Sequence, residues 1–299
     1  MMGYQLSELC KYINDDYVLH GNVNEIHVEN IATPFTANEK SLVFISPTHA
    51  DKQKMFNATK ANLIICDDSI QFCSKTKKNL LVVQDPKYIF AKIANAFFVE
   101  KPASGIHPTA IIHPEAKIAE DVYIGPNVYI GKCEIKKNTM IYGNTYLYDN
   151  VYLGEGVVVN AGSVLGAAGC GQIKGKDNIY IPFPHIGRLI IENNVEIGPQ
   201  TCIARGALGD TIIKENTVID SQVKVGHNVV IEENVIILAN VVIGGSSIIK
   251  NNVVLAIGAH ICDYITVGEH AHIGPGVIIM SDVAAHAKVV PRLPLTLPK

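Results

Sequence analysis

The hydrophobic positions in the second half of the chain repeat with a strict period of six. Ile, Val or Leu occupies every sixth position twelve times in succession: Ile213, Ile219, Val225, Ile231, Ile237, Ile243, Ile249, Leu255, Ile261, Val267, Ile273 and Ile279. An earlier series keeps the same step, at Ile106, Ile112, Ile118, Ile124 and Ile130. An α-helix repeats every 3.6 residues and a half-buried strand every two, so neither produces this period. The pattern predicts a parallel β-helix, in which three hexapeptides close one triangular coil.

Small and polar residues mark the corners of these coils. Glycine often follows the inward aliphatic residue, as at Gly125, Gly198 and Gly226, and asparagine fills other corners, as at Asn193 and Asn251. Tight corners need either the left-handed backbone region or a close approach of two backbones. Glycine allows both, and asparagine tolerates the left-handed region better than most residues. The hexapeptide count predicts seven or eight coils.

The rhythm is interrupted twice. The stretch 166–188 is rich in glycine and then in proline, and the step from Ile203 to Ile213 is ten residues instead of six, which places an insertion at 206–210. A solenoid needs neither loop for its own stability, and loops on a rigid scaffold commonly bind ligands. We predict a functional role for both loops; drift in a tolerant corner is the alternative.

Three regions follow from these patterns. Residues 1–102 lack the period of six, and predicted strands at 41–45, 61–68 and 79–85 alternate with predicted helices at 5–13 and 88–99, which indicates a small α/β domain. Residues 103–284 form the hexapeptide β-helix, so the fold class is mainly β. Residues 285–299 are proline-rich and are expected to run extended as a cap over the last coil.

Composition narrows the class of protein. The 299 residues are 48% hydrophobic, so the chain can bury a large core. A net charge of −3 without a long basic run gives no reason to expect nucleic acid binding. We find no signal peptide at the N-terminus and no run of 18 apolar residues, so no membrane span is expected. Seven scattered cysteines without a CxxC pair predict reduced thiols and a cytoplasmic location.

Histidine supplies the candidate chemistry. His227 falls at a predicted corner, and Asp220 lies seven residues upstream, about one face away. An imidazole beside an acid can act as a general base for an amine or hydroxyl that attacks a thioester, although an exposed histidine without a role fits the residues as well. Four further histidines occur near the C-terminal end: His260, His270, His272 and His286. Their spacings do not match one coil of 18 residues, so no metal site is predicted.

The segment 187–231 resembles the UDP-3-O-acylglucosamine N-acyltransferase family, LpxD. The matching elements are G-R-L-I-I (187–191), V-E-I-G (195–198), R-G-A-L-x-D-T (205–211) and I-D-x-Q-x-x-x-H-N-V (219–229). The segments 41–47, 59–68 and 79–97 are similar to the uridine-binding domain of that family. The resemblance implies a left-handed β-helix, and an acyl transfer from a thioester carrier to the amine of a UDP-linked amino sugar. It also implies a homotrimer with sites between subunits.

The resemblance also implies roles for particular residues. It makes His227 the catalytic base and Asp220 the acid close to it, and it places Ser221 and Asn228 near the sugar. On the N-terminal domain it implies a uracil site formed by Phe44, Ser46 and His49.

Three features depart from the family pattern. Ser46 and His49 stand where the family usually has an Asn and a Tyr, and Tyr264 aligns with a second active-site histidine. A short proline-rich tail stands where the family has a helical extension that contacts acyl carrier protein.

Three functions are therefore considered. The first is N-acylation of UDP-3-O-acylglucosamine by a 3-hydroxyacyl carrier protein in lipid A biosynthesis. The second is acylation of another nucleotide-linked aminodeoxy sugar from acyl-CoA, for surface glycan synthesis. The third is a non-catalytic hexapeptide scaffold. Beyond the thioester donor, no cofactor is expected.

Overall fold

The computed structural model describes residues 3–13, 16–21, 26–73 and 78–291, and the chain divides into two units, Met1–Lys101 and Pro102–Lys299. The division lies next to the boundary that the loss of the hexapeptide period predicts. Each unit has its own buried apolar clusters.

The first unit is a five-stranded sheet with short helices. The strands lie in the order Val18–His20, Asn79–Val82, Leu63–Cys66, Ser41–Phe44 and Asn30–Ile31. All neighbouring pairs are parallel except the one that includes Val18–His20. A separate antiparallel pair joins Tyr4–Gln5 to His27–Val28. The helices are Leu6–Cys10, Lys52–Ala58 and Pro86–Phe97.

The helix Pro86–Phe97 shows how sequence fixes an element of this unit. The Asp85 carboxylate accepts a hydrogen bond from the Tyr88 amide, and Pro86 occupies the first helical turn, where its missing N–H costs nothing. Ile89 and Ile93, four residues apart, are buried against the sheet cluster. The α/β character predicted for this region is confirmed.

The second unit is a parallel β-helix with three faces, and each strand pairs with the strand one coil away. Within the described residues, face 1 has ten strands: Gly105–Ile106, Tyr123–Ile124, Met140–Ile141, Val158–Val159, Glu196–Ile197, Val218–Ile219, Ile236–Ile237, Val254–Leu255, His272–Ile273 and Lys288–Val289. Face 2 has nine strands: Ile111–Ile112, Tyr129–Ile130, Tyr146–Leu147, Val164–Ala167, Cys202–Ala204, Lys224–Val225, Val242–Ile243, His260–Ile261 and Ile278–Ile279. Face 3 has eight strands: Lys117–Ile118, Glu134–Ile135, Val151–Leu153, Leu189–Ile191, Thr211–Ile213, Val230–Ile231, Ile248–Ile249 and Thr266–Val267.

The inward position of each hexapeptide builds the core of the prism. Ile231, Ile237 and Leu255 are completely buried, and they belong to one continuous cluster along the axis. The preceding residue of each strand points outward, as at Ile236, which is 43% exposed. Corner asparagines such as Asn194 and Asn252 adopt φ values between 56° and 63°, whereas Asn193 and Asn251 beside them do not have positive φ. Gly125, Gly198 and Gly226 do not have positive φ either, and they lie instead in close contact with backbone of the next coil.

The predicted number of coils is too low. The structure has eight to ten strands on each face, whereas the hexapeptide count gives seven or eight coils. The inward series shortens to a step of five between Ile130 and Ile135 and then resumes through Ile141 and Leu165. A count that looks for an aliphatic residue at every sixth position after Ile130 misses the hexapeptides that follow, because they are shifted by one residue. The strand hydrogen bonds between coils form nevertheless, although this corner is one residue shorter.

The β-helix also extends past the predicted boundary at residue 284. Lys288–Val289 pairs in parallel with His272–Ile273 and adds a strand to face 1. The predicted capping tail thus begins as part of the last coil, and residues 292–299 lie outside the described residues. Within the part of the chain that the structure describes, no helix is long and apolar enough to cross a membrane.

Candidate active site

Both interruptions of the hexapeptide rhythm lie at the same corner as His227. The chain passes from face 2 to face 3 at residues 168–188, again at 205–210, and again at 226–229. Successive coils stack these segments at one edge of the prism, called here corner 2–3. The two loops predicted to be functional therefore meet at the predicted base.

The first loop is a hairpin that leaves the prism. Gln172–Lys174 pairs antiparallel with Tyr180–Pro182, and these strand residues are exposed. The base of the hairpin is closed by a hydrogen bond from the Phe183 amide to the Gly171 carbonyl oxygen at 2.7 Å. We call the whole of this loop, residues 168–188, the arm.

The returning end of the arm interlocks with the 206–210 insertion. The Ile186 and Gly187 amides both donate to the Ala207 carbonyl oxygen at 2.8 Å. A Cβ on Gly187 would overlap the Gly209 carbonyl oxygen, so this close approach of two backbones requires glycine there. The end of the first loop and the 206–210 insertion therefore hold each other in place through backbone contacts.

An ion pair holds the same junction. Arg188 donates from Nη2 to Asp210 Oδ2 at 2.7 Å, and its Nε and backbone N–H both donate to Oδ1. The hydrogen bonds from the Arg188 side chain hold the pKa of the Asp210 carboxyl below its usual range. The carboxylate therefore stays ionised and paired at neutral pH.

The tautomer of His227 follows from its neighbours. Asn228 Oδ1 accepts a hydrogen bond from the Ala207 amide at 3.0 Å, so this atom is the amide oxygen. His227 Nδ1 lies 3.1 Å from the same oxygen and must donate to it. In the neutral ring this leaves the lone pair on Nε2, the state that a general base requires.

The His227 ring lines two adjoining cavities at this corner. The first, of about 590 Å³, is bordered by the arm, the insertion and Tyr264: its lining includes Cys170, Ile173, Phe183, His185, Leu208, Asn228 and Ser246. The second, of about 600 Å³, lies toward face 2 and includes Lys224, Val242, His260 and Asp263. The Asp263 carboxylate accepts a hydrogen bond from the Gly245 amide at 2.5 Å, and this fixes the backbone beside the His227 ring.

Of the five residues predicted for the reacting end of the site, three lie together and two lie elsewhere. His227, Asn228 and Tyr264 all line the first cavity. Asp220 and Ser221 lie at the corner between faces 1 and 2, where the Asp220 carboxylate accepts a hydrogen bond from the Ser221 amide at 2.6 Å. Within one chain, the predicted acid is therefore not adjacent to the predicted base.

The predicted uracil-site residues share a cavity of about 470 Å³ in the first unit. Phe44, Ser46 and His49 line it together with Met55 and Phe90. The Phe44 and Phe90 rings pack with centroids 4.8 Å apart, and Ser46 Oγ is 3.0 Å from the Thr48 hydroxyl. An aromatic floor with a polar rim suits a planar base.

The sequence reasoning missed three contributors to the site at corner 2–3. His185 contacts the His227 ring, Asp263 holds the adjacent backbone, and Gly169 lies close to both rings. The sequence did contain a signal for the position of this site. Grouping the hexapeptides in threes places both interruptions of the repeat and His227 at one corner. The individual side chains within the long loop carried no such periodic signal.

Two of the C-terminal histidines lie one above the other on successive coils, although their spacing in the sequence is not 18 residues. His270 and His286 are 16 residues apart, yet their rings stack with centroids 5.0 Å apart, because the last coil is two residues short. Among the described residues, no group of three or more histidine, cysteine or acidic side chains is arranged to hold a metal ion.

Comparison with known proteins agrees with this architecture. The family described as bacterial transferase hexapeptide (six repeats) matches residues 132–167 and 210–245. A solved UDP-N-acetylglucosamine acyltransferase from Bacteroides fragilis is 29% identical, with a TM-score of 0.55 over 60% of this chain and 68% of that one. The fold and the corner site therefore define a left-handed β-helix acyltransferase of the hexapeptide class.

Two relatives found by sequence share one enzyme name, UDP-3-O-acylglucosamine N-acyltransferase. A UDP-3-O-acylglucosamine N-acyltransferase from Coxiella burnetii is 32% identical over 246 residues, which cover 76% of this chain and 70% of that protein. One from a Caulobacter species is 31% identical over 121 residues, only 35% of its length. The chain belongs to the UDP-3-O-acylglucosamine N-acyltransferase family.

Proposed function

We propose that the protein transfers a 3-hydroxyacyl group from a thioester carrier to the amine of UDP-3-O-acylglucosamine, in lipid A biosynthesis. The names of its relatives support this acceptor. The observation that carries the proposal is the state of His227: its Nδ1 proton is held by Asn228, and its Nε2 lone pair is available in a ring that lines two loop-bordered cavities.

The proposed reaction uses His227 as a general base. The amine nitrogen attacks the thioester carbonyl carbon and forms the C–N bond, while His227 Nε2 takes one amine proton. The tetrahedral intermediate collapses, the C–S bond breaks, and the imidazolium returns the proton to the leaving sulfur. The products are the amide and the free thiol of the carrier, so the chemistry needs no redox partner, cofactor or metal.

The nucleotide is proposed to bind to the first unit. The Phe44 ring offers a stacking surface for uracil, and Ser46 and His49 offer polar atoms at the edge of the same cavity. Tyr264 is 77% exposed at corner 2–3, and Asn228 lies beside the base, so both are proposed to contact the substrate nearer the reacting amine.

The working enzyme is proposed to be a cytoplasmic homotrimer. Asp220 and Ser221 lie at a different corner from His227, so only a contact between two copies could bring them to the same site. Closed cyclic assemblies create such contacts in every copy at once. The donor is proposed to be an acyl carrier protein, with acyl-CoA as the alternative.

A cross-assay of donors and acceptors tests the proposal. The purified enzyme is offered 3-hydroxyacyl carrier protein or acyl-CoA, each with UDP-3-O-acylglucosamine or with nucleotide-linked 3- and 4-amino sugars. Turnover with acyl carrier protein and UDP-3-O-acylglucosamine, lowered about 10²–10⁴-fold in His227→Ala, is the expected result. Turnover confined to acyl-CoA and an unacylated aminodeoxy sugar would replace it with the second function, and no turnover at all would favour a scaffold.

A further inference from the structure

A second imidazole lies against the predicted base. His185, in the returning end of the arm, packs edge-to-face on His227 with ring centroids 5.0 Å apart and an interplanar angle of 73°. His185 Nδ1 is 2.9 Å from the Phe183 carbonyl oxygen. A carbonyl oxygen can only accept, so Nδ1 carries the proton and the lone pair of the neutral ring is on Nε2.

That lone pair is buried and unpaired. Among the described residues, His185 Nε2 is a buried side-chain nitrogen without a hydrogen-bond partner. Burying an acceptor without a partner costs stability, so such groups in native proteins need an explanation. The arm thus holds a polar atom at a cost that packing alone does not explain.

Gly169 shows how close the two rings are at this point. A Cβ on Gly169 would lie 2.9 Å from His185 Nε2 and 2.8 Å from His227 Cδ2. The buried nitrogen and the edge of the His227 ring therefore border the same small gap. A side chain at 169 would therefore require at least one of the two rings to shift.

We propose that His185 is a positioning residue that stabilises the imidazolium form of His227. The proposal rests on the function proposed above, in which His227 removes a proton from the attacking amine. The unpaired His185 Nε2 lone pair interacts weakly with the neutral His227 ring and strongly with the protonated ring. Burial strengthens this electrostatic interaction, because little water screens it. The interaction therefore grows as the transition state forms, which raises kcat and leaves ground-state binding unchanged.

The surroundings leave this role open. Within one chain, the His227 Nδ1 partner is the neutral amide of Asn228, and Asp220 lies at another corner. In the proposed trimer, Asp220 of a neighbouring copy would add to the stabilisation by His185 and would not replace the contact between the two rings. Asp263 is the acidic residue that lines a cavity with His227, and one of its oxygens is engaged by the Gly245 amide. His185, which belongs to a loop and not to a hexapeptide repeat, thus places the negative end of its ring dipole beside His227, where it offsets the positive charge of the protonated ring.

Steady-state kinetics of three variants provide the first test. His185→Phe keeps a ring for packing but removes the lone pair, and kcat should fall roughly 10- to 100-fold while KM for the sugar stays within about twofold. His185→Gln keeps an acceptor oxygen and should recover a large part of the loss. His113→Phe is the matched control, because His113 lies at corner 2–3 of the first coil and its Nδ1 also bonds to backbone; its kcat should not change.

A double variant separates this role from a structural one. In a His227→Ala background, His185→Phe should cause no further loss, because the group through which it acts is absent. An equal fractional loss in both backgrounds, or an unchanged kcat in His185→Phe alone, overturns the proposal. Thermal unfolding and gel filtration of each variant show whether it folds and assembles like the unaltered enzyme.

A spectroscopic measurement is independent of turnover. In ¹⁵N-histidine-labelled enzyme, the nitrogen resonances of His185 should be those of a neutral ring protonated on Nδ1, assigned by their loss in His185→Phe. A proton on Nε2 would overturn the proposal whatever the kinetics show. If the unaltered enzyme acylates no amino sugar, the proposed function fails and this inference fails with it; normal turnover with insensitive His185 variants removes only the inference.

Discussion

His227 holds its proton on Nδ1 because Asn228 offers an oxygen that is already committed as an acceptor. Asn228 itself sits at φ 57°, and its amide donates to the Thr211 hydroxyl at 2.8 Å. The corner geometry that suits asparagine therefore also orients the base. One residue serves the fold and the chemistry together.

Replacing His227 by alanine should lower kcat by about 10²–10⁴-fold, because general-base catalysis contributes about that much. The ring lies at a corner outside the axial core, so the fold and assembly should survive. Acyl transfer, circular dichroism and gel filtration measure these effects, with His113→Ala as the control. Loss of assembly in His227→Ala would show that the residue is structural.

Replacing Asn228 by alanine should lower kcat roughly 10- to 1,000-fold, because the His227 tautomer and the insertion backbone lose a shared anchor. Alanine at a positive φ is strained as well, so a control for strain is needed. Asn240→Ala supplies it, because Asn240 has φ 60° at another corner. Equal loss of activity in the two variants would contradict the role given to Asn228.

At the scale of elements, the site is made by two interruptions that lock together. The arm and the 206–210 insertion share backbone hydrogen bonds and the Arg188–Asp210 ion pair. Neither loop contributes to the axial core, yet their junction determines where Ala207 meets Asn228. The two loops therefore act together to position the backbone that contacts Asn228.

The ion pair predicts a pH-dependent stability. The pKa of Asp210 is lowered in the folded chain, so its stabilisation is present above its ordinary pKa of 3.8 and is lost as pH falls through the folded value. Asp210→Asn should reduce stability by about 0.5–1 kcal/mol at pH 7, a modest amount because Arg188 is exposed and solvent screens the pair. The difference in stability from the unaltered protein should narrow as the pH falls below 3.8 toward the lowered pKa of the folded state.

Thermal unfolding midpoints measured from pH 7 to pH 2.5 check this expectation. Asp177→Asn is the control, because Asp177 Oδ1 accepts a hydrogen bond from the Ile179 amide that asparagine can replace. A gap that persists unchanged at the lowest pH would exclude the ion pair as its cause.

At the scale of the whole molecule, the prism depends on its inward column. Ile237 is completely buried within the axial cluster, whereas Ile236 beside it on the same strand faces outward. Ile237→Asp should unfold the β-helix, because it buries a charge without a partner and costs several kcal/mol. Ile236→Asp should retain the β-sheet circular dichroism signal, and a folded Ile237→Asp protein would contradict the inward assignment.

The proposed trimer predicts complementation between inactive chains. If each site takes His227 from one copy and Asp220 from its neighbour, trimers mixed from His227→Ala and Asp220→Asn chains regain one complete site each. Random mixing of equal amounts should then restore about a quarter of the unaltered activity. Activity that stays at the level of the separate variants would place both residues in one chain's site, or remove Asp220 from the mechanism.

The sequence by itself determined the architecture, because the same six-residue rule acts at every coil. Inward residues such as Ile237 and corner asparagines such as Asn240 each satisfy a local requirement, and the repeats add. The sequence also marked the two loops and His227 as exceptions. Its count of coils was wrong because one short corner between Ile130 and Ile135 shifted the phase.

Only the tertiary structure decided which exceptions share a site. Residues seven apart, Asp220 and His227, lie at different corners, because a hexapeptide turns the chain by one face. Residues far apart, such as His185 and His227, touch because coils stack and the arm folds back on the same edge. Contacts of this kind depend on loop paths that no periodicity encodes, so the chemistry around the base could be read only from the folded chain.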